Sequence, residues 1–333
     1  MKLSVVILCW NDIKVVGDCL QSIYDGTHAV DFEVIVSDNG STDGSLEFIR
    51  TKYPQVRLLE NGVNLRFAKG NNVGIQASRG EYVLILNPDT IIHDRSLDKM
   101  VAYADKHPEA GAFGCKVLNV DGTYQGCARP PYTLRSEWCA ALFLGRLSRV
   151  SEWFHPGVYV GWNGDTERTV GWLAGCFILA RTEIVKQLQG FDEQFFYYYE
   201  DTDLCRRIWE SGHPILYTPD FAITHLKGQS TTNRFAPGTF ALDAEVTRYL
   251  YYYKYYGVKG ARSCRRSSLA GLFVRRLGYK VTQFFWPSET GKKRQELLRT
   301  LFEWNYRVDP IRLVENGEEP SIGSKPVARV MER

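Results

Sequence analysis

The chain has 333 residues, 44% of them hydrophobic, 24% charged and 13% aromatic. That balance furnishes a core for one large domain or two modest ones and excludes disorder as the main state. With 41 Lys and Arg against 38 Asp and Glu the net charge is +3, which does not mark a nucleic-acid binder.

In chain order, Leu3–Cys9, Phe32–Ser37, Val56–Glu60 and Tyr82–Leu86 are short β-branched or aliphatic runs that predict buried parallel strands. Between them Ile13–Tyr24, Ser45–Tyr53 and Ala68–Ser78 predict helices, with Leu46, Ile49 and Tyr53 recurring on one face. Strands alternating with helices predict an α/β sheet with right-handed crossovers, whose ligands bind beyond the carboxyl ends of the strands. Polar residues concentrate at those ends: Trp10-Asn11-Asp12, Asp38-Asn39-Gly40-Ser41 and Asn87-Pro88-Asp89-Thr90. Three polar ends in register point to a shared pocket. Further on, Gly111–Val117 predicts a strand, Asp121-Gly122 a hairpin turn, and residues 129–170 loops with a short helix. Gly171–Leu179 predicts one buried strand. Leu204, Cys205, Ile208 and Trp209 form the apolar stripe of a helix ended by Gly212.

The eight cysteines are scattered singly, with no CxxC pair, so zinc-ribbon and thioredoxin readings fail. Several sit in apolar runs, where a reduced thiol behaves as a small hydrophobe. The first apolar run is too short for a signal-peptide core, and no stretch of about 18 apolar residues exists to span a membrane. A reducing, cytoplasmic setting is the expectation.

Each polar cluster has a functional and a bland reading. Asp38 can accept hydrogen bonds from a base or ribose, yet Asn-Gly and Asp-Gly are also ordinary turn chemistry. Asp89, after a rigid proline, can hold Mg²⁺ or Mn²⁺ beside a diphosphate, or simply cap a turn. Glu200, Asp201 and Asp203 crowd three acids into four residues at a helix start, next to the aromatics Phe196 to Tyr199. Acids complement a helix dipole there, and a carboxylate against aromatics also suits a general base. A lone His225 is more often structural than a ligand. No HExxH, P-loop, GxGxxG or nucleophile elbow is present.

Charge is unevenly spread. Twelve Lys/Arg and two acids fall between Lys254 and Arg299, about +10 against about −7 for the rest. This basic segment overlaps the end of the tyrosine-rich run Tyr249–Tyr256 and interleaves cations with Leu272, Phe273, Leu277, Phe284, Phe285 and Trp286. Such a segment can lie in the headgroups of an anionic membrane, pack its apolar stripe on the body, or bind RNA.

Taken together, the motifs resemble the family 2 glycosyltransferases of GT-A fold, particularly the branch containing bacterial rhamnosyltransferases. The resemblance covers about residues 1–230. It rests on Val5 to Asn11, Asp38 to Ser45, Asn64 with Phe67 to Asn72, Leu86 to Asp89, Gly175 with Arg181, Gly190 to Glu193, Glu200 to Cys205, and His225 with Gly228 and Ser230. It implies inverting transfer of a sugar from a nucleotide-diphosphate donor to an acceptor hydroxyl. Carried over residue by residue, Asp38 contacts the nucleoside beside Trp10 and Asn11, with Asn64, Arg66, Lys69, Asn71 and Asn87 on the donor side. Asp89 and His225 are the implied contacts of a divalent cation (Mn²⁺ or Mg²⁺), and Asp201 the implied general base, with Glu200 its rival. Two positions depart from the pattern: Asn87 stands for the first acid of the DxD-type motif, and Arg66 for the glycine of Asn-x-Gly-Phe-Ala.

The expected architecture is therefore α/β, a GT-A body over 1–235 with donor-binding (1–118) and acceptor (119–235) halves. A basic, Tyr-rich helical extension over 236–316 and a loose tail over 317–333 follow. dTDP-rhamnose is the first expected donor, before UDP-hexoses, and a lipid-linked saccharide of surface-polysaccharide assembly the expected acceptor. The expected location is the inner face of the bacterial plasma membrane, bound peripherally to its anionic surface and without nucleic acid. The alternative is a non-catalytic nucleotide-sugar-binding scaffold of an assembly complex.

Overall fold

The computed structural model describes residues 1–195, 198–226, 239–286 and 288–316. Phe196, Tyr197, Gly228, Ser230 and the tail from 317 lie outside the described residues. Alternating apolar runs and amphipathic helices give β1 (Leu3–Cys9), α1 (Val16–Gly26), β2 (Phe32–Asp38), α2 (Ser45–Lys52), β3 (Arg57–Glu60), α3 (Arg66–Ala77) and β4 (Tyr82–Leu86). Next come β5 (Thr90–Ile92), α4 (Ser96–Asp105), β6 (Ala112–Leu118), β7 (Ala128–Arg129) and α5 (Leu134–Ala141). Then follow β8 (Arg168–Thr169), β9 (Trp172–Leu173), β10 (Phe177–Arg181), α6 (Thr182–Gln187), α7 (Glu200–Glu210) and β11 (Ile215–His225). The chain closes with α8 (Thr239–Phe285), α9 (Glu289–Arg307) and α10 (Pro310–Asn316).

The main sheet runs β3-β2-β1-β4-β10-β6-β11-β5, with β8 on β11. The first four strands are parallel, whereas β10 runs antiparallel to both β4 and β6, and β5 antiparallel to β11. The sheet is therefore mixed. Val5, Val6 and Ile7 of β1 and Val83, Leu84 and Ile85 of β4 are fully buried at its centre, each side chain stabilising the fold by roughly 1.5–3 kcal/mol. α3 lies directly on this core: a Cβ at Gly70 or Gly74 would sit 2.4 Å from Leu8 or Val6. Glycines inside that helix permit the close approach.

Two sequence expectations change. Gly171–Leu179 is not one strand; β9 and β10 are separated at Ala174–Cys176, where the backbone turns its amide toward Asp201. Trp209 is not in the buried stripe of α7. It is partly exposed, and its Nε1 donates to the Val170 carbonyl at 3.0 Å. Leu204, Cys205 and Ile208 are buried, and Gly212 ends the helix at φ +91°.

The chain divides into two units, Met1–Pro131 with Trp162–Arg234, and Tyr132–Gly161 with Phe235–Arg333. The second unit thus takes in residues 132–161, which the sequence reading assigns to the acceptor half. There α5 packs on α8: Trp138 Nε1 donates to Ser263 Oγ at 3.1 Å and Tyr252 OH to Glu137 at 3.0 Å. Tyr249, Tyr251 and Tyr252 are buried, and Tyr249 stacks on Trp304 with ring centroids 6.2 Å apart. The core of the tyrosine run is thus interior packing of this unit rather than an exposed face. α8 bends at Gly257, whose φ of +62° a glycine adopts without penalty.

Candidate active site

The carboxyl ends of β1 and β2 are laced together. Asp38, buried at the end of β2, accepts from the Gly40 and Ser41 amides at 2.8 Å each and from Ser41 Oγ at 2.5 Å. Asn11, at φ +57°, accepts from the Thr42 amide at 2.7 Å, and its own amide donates to Ser41 Oγ at 2.8 Å. The Trp10 amide donates to Asp12 Oδ2 at 2.8 Å. Much of the Asp38 carboxylate's hydrogen-bonding capacity therefore goes into shaping its own loop, a pre-organising role.

Asn39 extends the network to the next loop, its Nδ2 donating to Asn64 Oδ1 and the Arg66 carbonyl at 3.2 Å each. Asn61 Nδ2 donates to Ser37 Oγ and Asn39 Oδ1. Arg66 sits at φ +70°, in the left-handed region that costs a non-glycine residue about 1–2 kcal/mol. That explains why the resembled pattern has glycine there; this chain carries an exposed arginine at a position glycine fits. Asn71 Nδ2 donates to the Phe67 carbonyl, which buries the amide in α3, while Lys69 is exposed on the same helix.

The sheet register brings Asp89 and His225 together. β5 pairs antiparallel with β11, setting His225 opposite Thr90, and Asp89 Oδ1 lies 3.2 Å from His225 Nε2. Asn87 Nδ2 lies 3.4 Å from the same ring nitrogen. Gln125 fixes the ring from behind. Its Nε2 donates to Asn119 Oδ1 at 2.9 Å and to the His225 carbonyl at 3.1 Å, so its Oε1 must face His225 Nδ1, at 2.6 Å. A carbonyl oxygen only accepts, so Nδ1 carries the hydrogen and the Nε2 side turns toward Asp89. In the neutral ring the Nε2 lone pair is therefore on the side of Asn87 and Asp89. This donor set fits a hard divalent ion held by few protein atoms. Among the described residues no three His, Cys, Asp or Glu side chains cluster as a complete metal site.

Asp201 lies in the first turn of α7. Its Oδ2 accepts from the Gly175 amide at 3.1 Å and its Oδ1 from the Thr202 amide at 2.7 Å. The neighbouring residue, Cys176, accepts from the Asn87 amide at 3.2 Å, so two consecutive residues bridge Asp201 to the Asn87–Asp89 strand end. Burial raises the Asp201 carboxyl above the ordinary range despite its amide donors. Burial, and then the charge of Asp201, push Glu200 well up. Glu200 is buried and its Oε2 has no hydrogen-bond partner among the described residues, whereas Asp201 is only partly buried. Asp203 is an anchor: it pairs with Arg207 at 2.7 Å, and Arg207 donates to the Leu188 and Gly190 carbonyls.

Buried thiols mark the convergence. Burial, with Asp12 and Asp38 adding, pushes Cys9 up to about 12. Cys19 also rises to about 12, by burial first and with smaller contributions from Asp89 and Asp12. Cys176 is pushed well up by burial, Cys127, Asp89 and Asp201. All eight cysteines are buried as free thiols.

Sequence reasoning missed Gln125, which lies 100 residues from His225 and in no motif. Asn72 carries more than its place in a motif implies. It donates to the Phe191 carbonyl at 2.9 Å and accepts the Phe191 amide at 2.8 Å, docking the Gly190–Glu193 loop on α3.

Residues 4–136 match the family model described as glycosyl transferase family 2. The chain is 32% identical over 224 residues to the N-acetylglucosaminyl-diphospho-decaprenol L-rhamnosyltransferase of Mycobacterium tuberculosis, covering 60% of this chain and 67% of that one. It is 24% identical over 218 residues to rhamnosyltransferase WbbL of Escherichia coli, covering 62% of this chain and 78% of that one. Among solved structures, S. aureus TarS 1–349 in complex with UDP-GlcNAc superposes with a TM-score of 0.52 at 16% identity, over 92% of this chain and 81% of that one.

Proposed function

Because this chain belongs to the family 2 glycosyltransferases, with the GT-A fold, we propose that it moves a sugar from a nucleotide-diphosphate donor to an acceptor hydroxyl with inversion. dTDP-rhamnose is the first donor and a lipid-linked saccharide the acceptor, in keeping with the rhamnosyltransferases it resembles. The single observation that carries the reading is the Gly175–Cys176 bridge, which joins the Asp201 carboxylate to the strand end bearing Asn87 and Asp89.

Asp201 is the general base. Its raised carboxyl is a better proton acceptor than an ordinary aspartate, and its amide donors fix its direction. Glu200, more deeply buried, stays protonated further up the pH scale and is the poorer candidate. Asp89 and His225 would hold a divalent cation, with Gln125 fixing the imidazole. The imidazole favours Mn²⁺ over Mg²⁺, which prefers oxygen. When bound, the cation supplies positive charge against the leaving diphosphate. The Asp38–Ser45 and Asn64–Phe67 loops hold the nucleotide end, braced by Asn39. A single displacement by the deprotonated acceptor hydroxyl, opposite the diphosphate, inverts the anomeric centre.

The test pairs thermal shift with a transfer assay, both with and without Mn²⁺. dTDP-rhamnose should raise the melting temperature by mass action and be consumed when lipid-linked acceptor is added. Stabilisation without consumption would favour the scaffold reading, and stabilisation by UDP-hexoses alone would replace the donor.

A further inference from the structure

Within the second unit, the last third of α8 is an amphipathic helix turned inside out. Its polar stripe faces the neighbouring helix. The Arg276 guanidinium lies 4.9 Å over the Phe302 ring, Tyr279 OH accepts from Arg294 at 3.1 Å, and Gln283 bonds Ser288 at 3.0 and 3.3 Å. The opposite stripe carries Phe273, Leu277, Val281, Phe284 and Phe285, which are between 51% and 81% exposed. At 3.6 residues per turn these five share an arc of about 120°, with Arg276 and Lys280 on one flank and Arg275 on the other. Trp286, 74% exposed, ends the stripe.

A second exposed apolar surface in the same unit adjoins it. Phe143, Leu147, Val150 and Trp153 are exposed in the loop and short turns after α5, interleaved with Arg146 and Arg149. Arg275 joins the two, its guanidinium 5.3 Å over the Phe143 ring. A folded chain leaves this much contiguous aromatic and aliphatic surface uncovered only where something else covers it. The charge identifies the occupant. Residues 273–294 hold six Lys or Arg and one acid, and among the described residues Lys280 and Lys293 have no ion pair.

We propose that this surface of the second unit, centred on the Phe273–Trp286 stripe and completed by Phe143 to Trp153, docks on an anionic phospholipid bilayer. Its aromatic side chains enter the headgroup–acyl boundary, and Arg275, Lys280 and Lys293 meet lipid phosphates. No described helix is long and apolar enough to cross a membrane, so the contact is interfacial. This proposal stands apart from the transfer reaction: an inactive chain with this surface intact would still bind.

The test is vesicle flotation of the full chain, with phosphatidylglycerol-containing and pure phosphatidylcholine vesicles, across about 0.05 to 0.5 M salt. Expected is binding to the anionic vesicles that weakens with salt and falls at least about tenfold in the triple variant Phe284→Ser, Phe285→Ser, Trp286→Ser. These side chains are exposed, so the variant should melt as the parent does. Arg275→Glu with Lys280→Glu should reduce both binding and its salt dependence. Brominated lipid should quench a tryptophan signal that Trp286→Phe reduces. Undiminished flotation of the triple variant, or equal binding to neutral vesicles, overturns the proposal. So does a stable dimer without lipid that the triple variant converts to monomer, because a second copy is then the occupant.

Discussion

The two units use their aromatic and polar residues in opposite senses. In the first, strand-end polar groups are turned inward and bonded to one another: Asp38 to its own loop, Asn39 to Asn64, Gln125 to His225. In the second, one helix changes character along its length. Tyr249 and Tyr252 near the start of α8 are core, while Phe284 near its end is 81% exposed. A polar cluster in the sequence thus became a pre-organised hydrogen-bond network, and one aromatic-rich segment became both a core and an uncovered surface. Tyr249, Tyr251 and Tyr252 in the first half of that helix are turned inward, whereas Phe273, Phe284 and Phe285 in the second half are turned outward.

The largest effect sharpens the polar side of the comparison. Asp201→Asn should lower kcat by about 10²–10⁴-fold with the fold intact, as removal of a general base does. In the parent, kcat/KM should fall on acidification at a pH above the ordinary aspartate value of about 3.9, because burial raises Asp201 and only the ionised base works. The next contrasts the two halves of α8. Tyr249→Ala should cost about 3–5 kcal/mol in urea melts. Phe284→Ala should stay within about 0.5 kcal/mol.

Gln125→Ala should weaken Mn²⁺ binding by about 10–100-fold, measured by calorimetry or by the Mn²⁺ spectrum rather than by turnover. A variant that binds Mn²⁺ as the parent does would show that the imidazole needs no bracing. Smallest is the response of stability to Glu200→Gln. The folded carboxyl holds its proton to higher pH than the unfolded chain does, so the parent loses stability as pH rises through the folded value. Melting temperatures of parent and variant should therefore agree near pH 4, with the variant higher at pH 8.

Much of this was legible in the residues. β1 to β4 follow from apolar runs alone, and the strand-end residues Asp38 and Asn87-Pro88-Asp89 were found by their position after those runs. What period could not reveal were contacts across long separations. The break between β9 and β10 exists because Gly175 donates to a side chain 26 residues on. Gln125 answers to a histidine 100 residues away. The meaning of Arg66 needed its φ, and the inverted stripe of α8 needed the position of α9. Interleaved cations and aromatics read alike whether they face a neighbour or water.

The measurement that bears most directly on the central claim is the anomeric configuration of the transferred sugar, read by NMR on product made by the parent enzyme. One displacement driven by Asp201 predicts a configuration opposite to that of the donor. Retained configuration would contradict it, because retention requires a second displacement that a lone base does not provide.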